Sequence, residues 1–209
     1  MSHATNQELK SKTREGNTRR AVLTSLPNIL TYGRICAVPA LVACFYFEGH
    51  AARWVALAIF ITAGITDFFD GYLARLWSQQ SSLGRMLDPI ADKLLVAATL
   101  LMLAADGTLA GYTLWAAVII LSREVLVSGL REFLAELQVS VPVSQLAKYK
   151  TTIQLVAIGF LLVGEAGDQV WPYTTITGLT GLWAAALLTI YTGYDYLRAS
   201  FAYFLEQRQ

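Results

Sequence analysis

The sequence predicts an all-α, polytopic membrane protein with six transmembrane helices and cytoplasmic N- and C-termini. Three observations carry that expectation. Of 209 residues, 55% are hydrophobic and only 15% charged, against roughly 25% charged in an ordinary soluble domain. A soluble chain of this length would have to hide more apolar surface than its core can hold. The apolar residues gather into six helix-length stretches, and the 16 Lys and Arg favour one side of them. The same composition argues against a disordered chain or a disulfide scaffold. The net charge of +1 implies no general surface for nucleic acid.

Helices are expected at about 27–47, 54–77, 86–105, 111–135, 146–164 and 172–197, a span needing roughly 20 residues. Uncharged runs mark the first five: Ile35 to Phe47, Trp54 to Thr66, Leu94 to Ala105, Gly107 to Ser122 and Thr151 to Gly164. Each of these is short of a full span and would equally suit a buried helix of a soluble core, but each continues into a helical stretch that carries charges. The sixth has full length without a charge, from Gln169 to Tyr194. Cys36 and Cys44 fall in the first helix, about 12 Å apart along its axis, too far for a disulfide; they read as two thiols on apolar faces. Gly178, Gly181 and Ala184 to Ala186 offer small-residue packing surfaces on the sixth.

Residues 1–26 read as a basic cytoplasmic tail, 27–200 as the six-helix transmembrane domain and 201–209 as a C-terminal cytoplasmic tail. Met1 to Arg20 is polar and lacks the apolar core of a cleavable signal. Asn17 to Ser25 suits either a short basic interfacial helix or a topogenic tail. With the N-terminus inside, cytoplasmic segments and helix ends hold Lys10, Lys12, Arg14, Arg19, Arg20, Arg75, Arg85, Arg131, Lys148, Lys150, Arg198 and Arg208. Only Arg53 falls outside, where Glu48, Asp106, Glu165 and Asp168 also lie. This is a positive-inside pattern, and Trp54, Trp77 and Trp171 stand where an aromatic belt would put them. His3 and His50 read as solvated.

The remaining charges are Arg34, Asp67, Asp70, Asp88, Asp92, Lys93, Arg123, Glu124 and Asp195. They come early in odd-numbered helices and late in even-numbered ones, so all lie in the inner half of the bilayer. Arg34 and Asp67 would be about 10–15 Å deep. A charge at mid-membrane costs roughly 2.5–3.5 kcal/mol on insertion scales, so these groups are expected to line one cavity open to the cytoplasm.

The densest feature is Asp67-Phe-Phe-Asp70-Gly71-Tyr-Leu-Ala74-Arg75, then eight residues, then Gly84-Arg-Met-Leu-Asp88-Pro-Ile-Ala-Asp92. Asp67 and Asp70 are i,i+3 neighbours on the second helix, and Asp88 and Asp92 are i,i+4 neighbours on the third. The short connection makes the two helices antiparallel neighbours. Four bare carboxylates would repel one another; hard divalent cations, Mg²⁺, Mn²⁺ or Ca²⁺, resolve this. A pair of metals about 3.5–4 Å apart is a recurring arrangement for in-line displacement at phosphorus. Gly71 would let a ligand approach the backbone, Ala74 would extend that smooth strip, and Arg75 could fork onto phosphate oxygens. Gly84 is expected at the turn into the third helix. Pro89 is expected near that helix's start, where its missing N–H costs little.

These residues resemble the motif D-x-x-D-G-x-x-A-R-x(8)-G-x-x-x-D-x-x-x-D of the CDP-alcohol phosphatidyltransferase family, matched at every fixed position. The resemblance extends over residues 25 to 200. It implies that Asp67, Asp70 and Asp88 bind two divalent cations, Mg²⁺ or Mn²⁺, with Asp92 on or near the second and also the general base. It implies that Gly71, Ala74 and Arg75 hold the cytidine diphosphate head of CDP-diacylglycerol, with Gly84 packing close by and Asn28 and Thr31 completing the donor site. It further implies a homodimer in a lipid membrane; a bacterial inner membrane is the expected location.

The motif leaves the acceptor open. Arg34, Arg123, Arg131, Lys148 and Lys150 form an excess of cations beside the carboxylates, which suggests an anionic acceptor. The competing reading pairs Arg123 with Glu124 or Asp70, pairs Arg131 with a neighbouring carboxylate, and anchors the two lysines at headgroups. The segments Ser122-Arg-Glu…Arg131-Glu132 and Ala147-Lys-Tyr-Lys-Thr…Gln154 look like the branch of the family that uses glycerol 3-phosphate. Inositol phosphate, serine or a second lipid remain alternatives, and an ion-coupled transporter is a reading of another class.

Overall fold

The computed structural model describes residues 26–77, 82–139 and 145–206, with the backbone alone described at 26–28, 67–77, 82, 83, 85, 145, 199 and 201–206. These residues form six α-helices: α1 Leu26–Cys44, α2 His50–Trp77, α3 Ser82–Ala105, α4 Thr113–Glu136, α5 Gln145–Asp168 and α6 Thr174–Glu206. No strand occurs among them. Three are long and apolar enough to cross a membrane, over Thr113–Glu136, Leu146–Asp168 and Thr174–Arg198; Ile29–Cys44 and His50–Thr66 are shorter apolar helices. The basic tail at 1–25, with the expected interfacial segment, lies outside the described residues.

Several helix ends differ from expectation for local reasons. α1 stops at Cys44 because the Phe45 and Tyr46 amides fold back onto the Val42 and Ala43 carbonyls, each at 3.1 Å. α3 begins four residues early, at Ser82. Gly84 is therefore a buried residue inside the first turn, not a turn residue, and Pro89 lies inside the helix rather than at its start. Its ring removes one intrahelical bond there. α5 passes the expected end at Gly164, where φ 44 and ψ −122 break the helical path. Only glycine adopts that conformation cheaply, so the chain kinks and then adds another turn. α6 runs on to Glu206, because Asp195 and Arg198 end the apolar run without supplying a glycine or proline to end the helix.

The chain divides into two compact units, Met1–Ala40 with Ile59–Leu95 and Leu41–Ala58 with Val96–Gln209. In the second, α4 and α5 both pack against α6. Small residues set the approach to α5. A Cβ added at Gly178 would stand 2.8 Å from Leu161 Cγ, and one at Gly181 would stand 3.0 Å from the Ala157 Cβ. Ala185 and Ala186 are fully buried, as the expected small-residue surface requires, while Ala184 is exposed. Near the end of α4, Val127 and Leu134 close on Tyr196 of α6, and the Arg131 guanidinium lies 5.9 Å from the centre of the Tyr196 ring. Of the two thiols, Cys44 is buried and Cys36 exposed.

Three connections meet within this unit. Arg53, at the start of α2, pairs with Asp106 after α3 and stacks over the Phe45 ring at 4.4 Å. His50 hydrogen-bonds Gln169 across 2.8 Å. The α1–α2, α3–α4 and α5–α6 connections therefore gather at one end. Asp168 accepts the Thr175 amide at 3.0 Å and so caps the first turn of α6.

Candidate active site

In the first unit, α1 and α3 are tied by the Thr31 hydroxyl, which donates to Asp88 Oδ1 at 2.5 Å. Thr31 and Arg34, one turn apart, are each only 1% exposed. On α3, positions 84, 88, 91 and 95 recur at helical spacing. Gly84, Ala91 and Leu95 are buried, whereas Asp88 and Asp92 are half-buried. The carboxylates thus occupy a face that is otherwise turned inward. Helical register carries the buried Phe60 and Ala63 of α2 on to positions 67, 70 and 74. The side chains of Asn28, Asp67, Asp70, Gly71, Ala74 and Arg75 lie outside the described residues.

The donor chemistry fits a hard divalent cation. Asp88 and Asp92, i,i+4 on one face, supply carboxylate oxygens, the ligands such ions prefer. Among the described residues no three His, Cys, Asp or Glu come together; Asp67 and Asp70 fall outside that set.

The second unit collects a separate polar cluster on the inward faces of α4, α5 and α6. Glu124 Oε1 accepts from Lys150 Nζ at 3.0 Å and from Gln154 Nε2 at 3.1 Å. Lys150 and Gln154 are each 1% exposed. They are i,i+4 on α5, so one carboxylate reaches both. A cation this buried is costly unless paired and hydrogen-bonded, and Glu124 meets that need. Arg123, half-buried, turns instead to α6 and donates from Nη2 to Thr192 Oγ1 at 3.3 Å. Gly193 makes room for it, since a Cβ there would stand 3.1 Å from Arg123 Cγ. Arg123, Lys150 and Glu124 together carry one net positive charge. Arg131 and Lys148 are exposed.

Sequence reasoning singled out Arg123 and Lys150 but not Gln154, Thr192 or Gly193 as site residues. For Gln154 the available signal was its place at the end of the Ala147-to-Gln154 segment, one turn beyond Lys150; Thr192 and Gly193 carried no comparable signal.

A sequence profile of the family described as CDP-alcohol phosphatidyltransferase matches residues 24–191, which include both the aspartate pattern and the α4–α5 cluster. A protein of Rickettsia bellii (strain RML369-C) named CDP-diacylglycerol–glycerol-3-phosphate 3-phosphatidyltransferase is 48% identical over 180 residues, 86% of this chain and 97% of its own. Proteins of the same name in Cereibacter sphaeroides and Escherichia coli (strain K12) are 39% and 38% identical, each over 88% of this chain and over 99% and 98% of their own. The chain therefore belongs to the CDP-alcohol phosphatidyltransferase family and is one of its membrane-bound transferases.

Proposed function

We propose that the chain transfers the phosphatidyl group of CDP-diacylglycerol to glycerol 3-phosphate, giving phosphatidylglycerol phosphate and CMP in phospholipid biosynthesis. The observation that carries this reading is the complete aspartate pattern from Asp67 to Asp92, in a chain up to 48% identical to relatives named for that reaction. The family is generally divalent-metal dependent. Asp67, Asp70, Asp88 and Asp92 would hold two Mg²⁺ or Mn²⁺ ions, which when bound would offset the charge that develops on the pyrophosphate.

The chain's own residues do the rest. Gly71 and Ala74 leave room for the cytidine diphosphate head, Arg75 forks onto its phosphate oxygens, Gly84 lets the neighbouring backbone come close, and Asn28 and Thr31 complete the donor site. The Thr31–Asp88 bond supports that arrangement by fixing one carboxylate oxygen. Asp92 accepts the proton of the sn-1 hydroxyl as its oxygen attacks the lipid-side phosphorus. The phosphorus–oxygen bond to CMP breaks, and CMP leaves. Arg123 and Lys150, with Arg34, Lys148 and Arg131, attract the acceptor's phosphate. The net positive charge of the α4–α5 cluster supports an anionic acceptor over serine.

The same reading makes residues 27–200 a six-span domain in a bacterial inner membrane, with 1–26 and 201–209 as cytoplasmic tails, the active site facing the cytoplasm and two chains forming a homodimer. The gathering of the α1–α2, α3–α4 and α5–α6 connections at one end supports that alternation, and the bacterial relatives support that membrane. Purified protein supplied with CDP-diacylglycerol and, in turn, glycerol 3-phosphate, inositol phosphate, serine and a phospholipid tests the acceptor. Glycerol 3-phosphate should give the highest CMP release by at least about tenfold, a difference of 1.4 kcal/mol in barrier; a higher rate with any other acceptor overturns the assignment.

A further inference from the structure

One end of the Gln154 amide has no hydrogen-bond partner among the described residues. Its Nε2 donates to Glu124 Oε1 at 3.1 Å, and that bond fixes the orientation, because only the NH₂ end can face a carboxylate. Oε1 is thereby left buried with no hydrogen-bond partner among the described residues, in a side chain 1% exposed. Burying an amide oxygen this way is costly, and native proteins rarely do so without a reason. Arg123 Nε, in the same cluster, is also buried with no hydrogen-bond partner among the described residues. The cluster thus offers one spare donor on a cation and one spare acceptor on a neutral amide. An ionised phosphate ester answers only the first. A ligand that answers both carries an anion and a hydrogen-bond donor, as a polyol phosphate does.

Resting on the acceptor assignment proposed above, we infer that Gln154 is a specificity-determining residue. Its amide oxygen accepts a hydrogen bond from the acceptor hydroxyl that does not attack, the 2-hydroxyl of glycerol 3-phosphate, while Arg123 holds the phosphate. A glutamate at 154 would set a second carboxylate against Glu124, and an apolar residue would accept nothing. Arg123 is half-buried and tethered to Thr192 by a 3.3 Å bond, so it is the member that yields to admit the ligand.

The test compares two acceptors in one preparation: sn-glycerol 3-phosphate, and 3-hydroxypropyl phosphate, which lacks only the 2-hydroxyl. The ratio of their kcat/KM values does not depend on the active fraction. A site that hydrogen-bonds a substrate hydroxyl rejects the analogue lacking it, so wild type should favour glycerol 3-phosphate by at least about tenfold. Gln154→Met should bring the ratio to within about threefold of unity, with the KM for CDP-diacylglycerol unchanged. Gln154→Asn, whose oxygen falls a methylene short, should move it in the same direction. A wild-type ratio near one overturns the inference without any variant, as does an undiminished ratio in Gln154→Met. If wild type uses neither phosphate but turns over with another acceptor, the acceptor assignment itself has failed and takes this inference with it. That result is distinguished by the silence of wild type toward both compounds.

Discussion

Glu124 decides whether the buried charge of α5 is tolerable. Its carboxylate accepts hydrogen bonds from both Lys150 and Gln154, and the side chains of Lys150 and Glu124 are 1% and 15% exposed. Removing one member of such a pair leaves an uncompensated buried charge and costs about 3–5 kcal/mol, whereas replacing both with apolar residues is often neutral. Glu124→Leu should therefore lower the unfolding free energy in detergent by that amount, and adding Lys150→Met should recover most of it. Equal losses that simply add in the double variant would show that the two residues do not interact. At this scale the sequence was legible only where charge stood against an apolar background. Arg123 and Lys150 announce themselves in that way. Gln154, Thr192 and Gly193 do not, because an uncharged polar residue or a glycine inside a membrane helix is ordinary. Nor does sequence say that Glu124 turns to α5 instead of to Arg123 beside it; that choice is made by the packing of α4 and α5 on α6.

The six helices were legible as elements, because apolar runs of helix length register strongly. Their ends were not. An apolar run ends at the first charge, while a helix ends where the backbone is turned, as at Gly107 (φ +84) after α3 or by the folded-back amides after α1. This is why α6 extends past Arg198 and why Gly84 and Pro89 fall inside α3. Between elements, the contact most sensitive to side-chain volume is α5 against α6. At Gly178 an added Cβ would meet Leu161 at 2.8 Å, and its backbone nitrogen at 3.1 Å. Gly178→Val should therefore destabilise the protein by about 1–3 kcal/mol, the range for overpacking. Unfolding in a mild detergent checks this, and a midpoint equal to that of wild type would mean that α5 and α6 do not approach as described.

For the whole molecule, the one-sided distribution of charge is the largest signal in the sequence. At about 1.5 Å per residue, the 33 residues of α6 span about 50 Å, well beyond a hydrocarbon core of about 30 Å, so under the proposed topology this helix projects from the membrane. The proposed orientation makes its projecting end cytoplasmic. Single cysteines at Glu48 and Glu136, both exposed, test this once Cys36 and Cys44 are replaced by alanine. In intact bacterial cells, Glu48→Cys should react with a membrane-impermeant thiol reagent and Glu136→Cys only with a permeant one. Reaction of both from the same side would refute the alternation of spans.

In the proposed reaction, four aspartates on α2 and α3 support a metal-assisted phosphatidyl transfer to glycerol 3-phosphate. The most direct measurement follows CMP and lipid product together in purified, chelator-stripped protein given CDP-diacylglycerol and radiolabelled glycerol 3-phosphate. No turnover is expected until Mg²⁺ or Mn²⁺ is restored, then one phosphatidylglycerol phosphate per CMP. Asp92→Asn should lose at least about a thousandfold in rate, within the range contributed by a positioned base, with the unfolding midpoint unchanged. CMP release without labelled lipid, full activity in the stripped protein, or near-normal turnover by Asp92→Asn would contradict it.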